Sequence, residues 1–307
     1  MAEQTEKPPE ALQRDDRILP LTRAVAWIII PFLLAAFIIL YLDGRHTAEW
    51  FAWEIPSRLT TALMGAGYLG GAYFFLRVGL GAGQRHIHLG AGYLHDSSYI
   101  SRWRALRWHE VHLGYPAVTT FTIFMLLATL LHWDKFFTNN WPFWVWLVLY
   151  IVTPILVPAV WWLNRPADPH TPAPGDRIVP AWLRFGVAAL GGFFLAISLA
   201  AFFRPQFIID IWPWTLSPLT ARVMAGWHAL LGVGLLAMAS DRRWSAWPVP
   251  MQSIAIWYVL LLGAFVWHQE EFGAGLLNWY SFLLIGSLAG MLVISLIMRG
   301  QPRLAER

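Results

Sequence analysis

The chain has 307 residues, of which 57% are hydrophobic and 13% charged, and its mean hydropathy is +0.50. A soluble domain carries roughly 25% charged residues, and a chain this apolar could not hide its surface from water. The absence of cysteine excludes disulfides, thiolate catalysis, iron–sulfur clusters and covalently attached c-type haem.

Residues 1–21 are charged and Pro-containing and read as a disordered tail. Near Ala24 begins the first of eight runs of about 20 apolar residues, the length that crosses about 30 Å of hydrocarbon. The others begin near Leu59, Gly114, Trp141, Ala181, Leu219, Met251 and Trp279. No small-residue cleavage site follows the first run, so it reads as a retained signal anchor. Pro31, Pro154 and Pro158 fall inside runs, which lipid-embedded helices tolerate. Most of the 22 basic residues fall in the tails and in alternate connections, among them Arg17, Arg77, Arg107, Arg165, Arg177, Arg242, Arg243 and Arg299. By the positive-inside rule this places both termini in the cytoplasm of a bacterial inner membrane. The same asymmetry accounts for the net charge of +4 without a nucleic-acid partner.

The halves of the chain echo one another. "IPSRLTTALMGAGYLGGAYFF" after Trp53 aligns with "LSPLTARVMAGWHALLGVGLL" after Trp214, and "ATLLHWDKFF" loosely matches "GAFVWHQEEF". The expected fold is an all-α integral membrane protein whose eight transmembrane helices form two parallel four-helix repeats, related by an axis along the membrane normal. Residues 22–163 form the first repeat, with an insertion at 81–112; a Pro-rich linker follows at 164–180; residues 181–299 form the second repeat and 300–307 a cytoplasmic tail.

Duplicated transporters bind their ligands between the halves, near the midplane. On the second helix of each half, Thr60, Met64 and Tyr68, and Thr220, Met224 and His228, recur every four residues and share one face. These residues, with Arg222 one turn into its helix, are the candidate ligand site. The competing reading is plain helix packing, favoured by the small residues Gly67 and Gly71. Arg222 either snorkels to the headgroups or pairs with a carboxylate such as Glu54 or Asp210, with Arg58 nearby in the other half.

His132 and His268 end the third helix of each half, and such a pair at one membrane level is an alternative haem-binding site; interfacial His and Trp also serve as ordinary anchors. In the insertion, His86, His88 and His95 offer a weak metal site, against which stands a simple loop. Arg102, Arg104 and Arg107, interspersed with Tyr99, Trp103 and Leu106, read as a basic amphipathic helix on anionic lipid, or as a docking site for a partner protein. Many of the 20 tryptophans fall at helix ends, where their rings prefer the headgroup level. No catalytic motif, nucleophile elbow, phosphate loop or dinucleotide fingerprint is present, and no cofactor is specified. The function classes left open are a small-ligand binder or transporter, a scaffold docking a partner at the inner leaflet, a b-type haem redox subunit, and a membrane enzyme of unspecified chemistry.

Through "WPWTLSPLTARVMAGW", "ATLLHWDKF" and "FWVWLVLYIVTPILVPAVWW" the chain resembles a group of bacterial multi-pass membrane proteins described as uncharacterised. The resemblance covers most of the membrane part and implies an eight-helix membrane fold. It implies no activity, ligand or catalytic residue.

Overall fold

The computed structural model describes residues 15–81, 105–272 and 275–304. His86, His88, His95, Arg102 and Arg104 lie outside the described residues. Among the described residues, eight helices are long and apolar enough to cross a membrane. They are α1 (Pro20–Phe37, continued by a π-helix Ile38–Asp43), α2 (Arg58–Gly79), α3 (Gly114–Leu131), α4 (Trp141–Asn164), α5 (Ala181–Phe203), α6 (Pro218–Ser240), α7 (Pro248–Trp267) and α8 (Trp279–Gly300). The described residues contain no strand, as expected where every backbone polar group must be satisfied without water.

Local sequence sets the helix starts. The Ser57 hydroxyl accepts the Thr60 amide and caps α2; Ser217 and Thr220 form a reciprocal capping box on α6, whose first residue is Pro218; Asn278 accepts the amides of Tyr280 and Ser281. α1 and α4 run through Pro31, Pro154 and Pro158 without ending. The π-helical turn closing α1 stops at Gly44, whose φ of +53° is a conformation that L side chains rarely adopt.

α2 and α6 are the most buried helices, whereas α1 and α8 are the least. α2 packs on α1 and α7; α6 packs on α5 and α3; α3 also meets α4, and α7 meets α8. Hydrogen bonds between connections define two ends of the bundle. At the terminal end Asn164 ties the end of α4 to the start of α1, accepting the Leu19 amide and the Thr22 hydroxyl, each at 2.8 Å, and donating to the Arg17 carbonyl at 3.0 Å. At the far end the Phe137 amide meets the Ala52 carbonyl at 3.0 Å, and Ser57 meets Glu271 at 2.7 Å.

Candidate functional site

Thr60, Met64, Tyr68, Thr220, Met224 and His228 of the two expected faces are all buried, and most of their polar atoms already have partners. The Thr60 hydroxyl accepts the Trp214 indole at 2.9 Å. Tyr68 and Tyr150 share a hydroxyl–hydroxyl hydrogen bond of 2.9 Å. His228 pairs Nδ1 with the Met224 carbonyl at 2.8 Å and Nε2 with the Tyr280 hydroxyl at 3.2 Å, so its ring is locked inside the second half. Thr220 turns back on its own cap, donating to the Ser217 carbonyl at 3.0 Å.

Two cavities flank these faces. A depression of about 560 Å³ at the far end is lined by Ser57 and Thr60 of the α2 entrance, by Thr215, Ser217 and Thr220 of the α6 entrance, and by Glu271. The Glu271 carboxylate closes one side of it, accepting the Ser57 hydroxyl at 2.7 Å and the Arg58 and Leu59 amides at 2.7 and 3.2 Å. It thereby satisfies donors that the first turn of a helix leaves open. Toward the terminal end a second cavity, of about 100 Å³, lies among α2, α3, α6 and α7. Its walls include Gly67, Tyr68, Gly71, Phe121, Trp227, Gly234 and Trp257. Between the two, one turn from Thr60 and one from Tyr68, Met64 is fully buried, and so is Met224, one turn beyond Thr220.

Trp227 is the centrepiece of the inner wall. Its ring centroid lies 4.2 Å from that of Phe121, the two planes tilted by 42°, 4.9 Å from Trp257 and 5.2 Å from Tyr68. Gly67 makes room for it, since a Cβ there would stand 2.6 Å from the Trp227 ring. The Trp227 indole N–H is buried with no hydrogen-bond partner, a state that costs about 1–3 kcal/mol. The sequence did carry a signal for this residue, because Trp227 sits in mid-helix whereas the belt tryptophans sit at helix ends.

The remaining candidates fall at the far end. Arg222 does not reach Glu54 or Asp210; its Nε donates to the Phe202 carbonyl at 3.0 Å and its Nη1 lies 2.7 Å from His132 Nε2. The reason is local, since Phe202 belongs to the last turn of α5, where carbonyls lack helical partners. Burial, and then the Arg222 guanidinium, hold the His132 ring below its usual pKa. His268 stacks on Trp267 and approaches Glu270 at 3.5 Å. Among the described residues, no cluster of three or more His, Cys, Asp or Glu side chains is placed to hold a metal ion.

No family model, curated protein or solved structure matches this chain.

At the terminal end the structure assembles groups that sequence reasoning passed over. Arg243, 3% exposed, donates to both oxygens of Asp168, at 2.6 and 2.9 Å, and to Asp241 at 2.6 to 3.0 Å. Burial alone would raise the two carboxyls, but hydrogen bonds from Arg243 outweigh it and hold both below the usual carboxylate range. Beside them a chain of hydrogen bonds runs from Asp16 through His109 (2.5 Å) to Ser245 (2.9 Å) and on to Asp176 (2.7 Å). The order Asp, His, Ser matches that of an acyl-transfer triad. Here, however, the Ser245 hydroxyl and amide both donate to Asp176, so neither is free to attack a carbonyl or bind an oxyanion. The chain acts as a clasp joining the segment before α1, the segment before α3, the α4–α5 linker and the α6–α7 turn.

His112 faces this cluster. Its Nδ1 donates to the His109 carbonyl at 3.0 Å, and its Nε2 stands 3.6 Å from Asp241 and 3.9 Å from Asp168. Burial pushes its pKa down, against the pull of Asp168 and Asp241 and with the help of Arg243. A ring whose pKa is lower folded than unfolded binds its proton more weakly in the native state, so stability falls as pH drops below the unfolded value of about 6.5. Thermal unfolding in detergent should therefore show a midpoint that is flat above pH 7 and declines from about pH 6.5 downward. In His112→Gln the upper part of that decline should shrink, leaving the share of His132, whose pKa burial also holds low; an unchanged profile would mean that the His112 ring does not titrate in this way.

Proposed function

We propose that this chain is a bacterial inner-membrane protein of two parallel four-helix units, with both termini cytoplasmic, that binds a small ligand between the units and passes it across the bilayer. The observation that carries the reading is the alignment of features along α2 and α6. Thr60 and Thr220 line the far-end depression, Tyr68 and Trp227 line the inner cavity, and fully buried Met64 and Met224 separate the two. A vestibule, a plug and an inner chamber in series suit a path in its closed state. The two-unit reading draws support from the contacts, because α2 with α1 and α7 repeats as α6 with α5 and α3.

The native sequence lacks cysteine, so single cysteines can be read against a silent background. In right-side-out vesicles, Thr220→Cys should react with an impermeant maleimide added outside, and Gly234→Cys only in inverted vesicles. Met224→Cys should stay unreactive from either side until Met64→Gly opens the plug. Reaction of Thr220→Cys and Gly234→Cys from the same side would overturn the topology. Continued silence of Met224→Cys in the Met64→Gly background would make this face packed core and not a path.

A further inference from the structure

The charges at the terminal end are sorted by sign. Its carboxylates are turned inward: Asp16, Glu110, Asp168, Asp176 and Asp241 are all buried, and Asp15 is the one exposed acid there among the described residues. The far end, by contrast, exposes Asp43, Glu49, Glu54, Asp134, Asp210 and Glu270. We propose that one corner of the terminal end, where the α4–α5 linker meets the ends of α6 and α8, binds the phosphate headgroup of an anionic phospholipid. The site does not depend on a path through the bundle.

Backbone contacts gather five arginines at that corner. The linker pairs with the α6–α7 turn, the Val179 amide donating to the Arg242 carbonyl at 2.8 Å and the Trp244 amide to the Arg177 carbonyl at 2.9 Å. Arg243 is buried against its two carboxylates, whereas its neighbour Arg242 is exposed. The chain beyond α8 is bound to the same linker, since the Leu304 amide donates to the Asp176 carbonyl at 2.8 Å and the Gly175 amide to the Leu304 carbonyl at 3.1 Å. That pairing holds exposed Arg303 beside the linker, and exposed Arg299 belongs to the last turn of α8. Arg177 Nε donates to the Gln301 carbonyl at 3.2 Å, and Arg184 reaches from α5 to the end of α6, where its Nε meets the Ala239 carbonyl at 2.7 Å and its Nη2 the Ser240 carbonyl at 3.3 Å. These carbonyls lie at the negative ends of helix dipoles, so both guanidiniums are fixed in place with N–H donors to spare. The ion pairs of this end join Arg17 to Asp15 and Arg243 to Asp168 and Asp241; among the described residues no carboxylate pairs with Arg177, Arg184, Arg242, Arg299 or Arg303. Basic clusters at helix ends bind anionic headgroups. The apolar surface beside this one favours a lipid over a soluble anion, because Trp182 and Phe185 flank Arg184 on α5 and both are exposed.

The probes are phosphatidylglycerol and phosphatidylcholine with identical acyl chains, titrated onto full-length protein in a neutral detergent and counted by native mass spectrometry. Phosphatidylglycerol should bind the more tightly. An arginine near an anionic surface is worth about fivefold in affinity, so Arg242→Gln with Arg299→Gln should weaken phosphatidylglycerol on the order of thirtyfold and leave phosphatidylcholine unchanged. Arg23→Gln with Arg165→Gln removes the same charge at the α1–α4 corner and should leave both lipids unchanged. Equal binding of the two lipids by the native protein would overturn the site. Equal weakening by the two double variants would also overturn it, because it would show a diffuse positive surface. A further readout needs no substitution: in the native protein, phosphatidylglycerol with a photoreactive group on its glycerol should crosslink within residues 177–185 or 299–303. Crosslinks confined to other segments would overturn the assignment whether or not the variants fold.

Discussion

Arg243→Met is expected to lower the free energy of unfolding by about 3–5 kcal/mol, the loss typical when one partner of a buried ion pair is removed. The guanidinium lies between two carboxylates that are themselves nearly sealed from solvent, Asp168 at 6% and Asp241 at 9% exposure. Without it, two negative charges remain uncompensated in a site that was tolerable because the guanidinium offset one of them and hydrogen-bonded both. At neutral pH the variant has two ways out: take up a proton, or open the terminal end to water. Both shift the acid limb of stability upward, because the hydrogen bonds that depress these carboxyls are gone. Chemical unfolding of the purified protein, followed at pH 7 and pH 5, measures this. A loss below about 1 kcal/mol would mean that the cluster behaves like an exposed surface pair. Joint replacement with Asp168→Leu and Asp241→Leu should recover much of the stability, since a matched apolar trio leaves no charge behind.

The second large effect is expected from Gly232→Val in α6. A Cβ on Gly232 would stand 2.7 Å from the Leu195 amide nitrogen and 3.0 Å from the Gly191 carbonyl oxygen, so it meets backbone that cannot rotate away. Small residues let membrane helices approach this closely. Forcing them apart disturbs the most extensive helix contact among the described residues, between α5 and α6. Overpacking of this kind costs about 1–3 kcal/mol, and more where backbone is met. The control is Gly192→Val on the neighbouring position of α5, where an added Cβ meets nothing within 4 Å. Folded yield and unfolding midpoint should drop for the first variant and hold for the second; equal behaviour would remove close packing as the reason for glycine at 232.

The helices themselves were readable because their signal is local. Run length against bilayer thickness put the starts of α3, α4, α5 and α8 at the residues where the structure has them, Gly114, Trp141, Ala181 and Trp279. α1, α6 and α7 begin four, one and three residues earlier than expected, at Pro20, Pro218 and Pro248, because a proline at the first turn loses no helical hydrogen bond and its polarity profile hides it. The four-residue recurrence of Thr60, Met64 and Tyr68 picked out residues that are buried in the structure. What those residues bind to was not legible. Tyr68 meets Tyr150, 82 positions away, and Asp168 meets Arg243 across 75. Arg243 read only as one more positive charge in a loop, since nothing near it in the chain reveals that two carboxylates will surround it. Trp227 read as one tryptophan among many, because an unbonded indole N–H is a property of the assembled wall.

The way the helices exchange partners bears on how the chain comes to be assembled. α3 is made early, yet its larger contact is with α6, which is synthesised about a hundred residues later; α2 packs most on α1, but its other face waits for α7. A nascent chain that has delivered only its first four helices therefore holds α2 and α3 with their inward faces uncovered, including the Tyr68 and Phe121 rings that Trp227 later covers. The bundle cannot be completed in instalments: its centre closes only when the sixth and seventh helices slot between those already in place, so the interval before they arrive is when lipid or a membrane chaperone must occupy the gap.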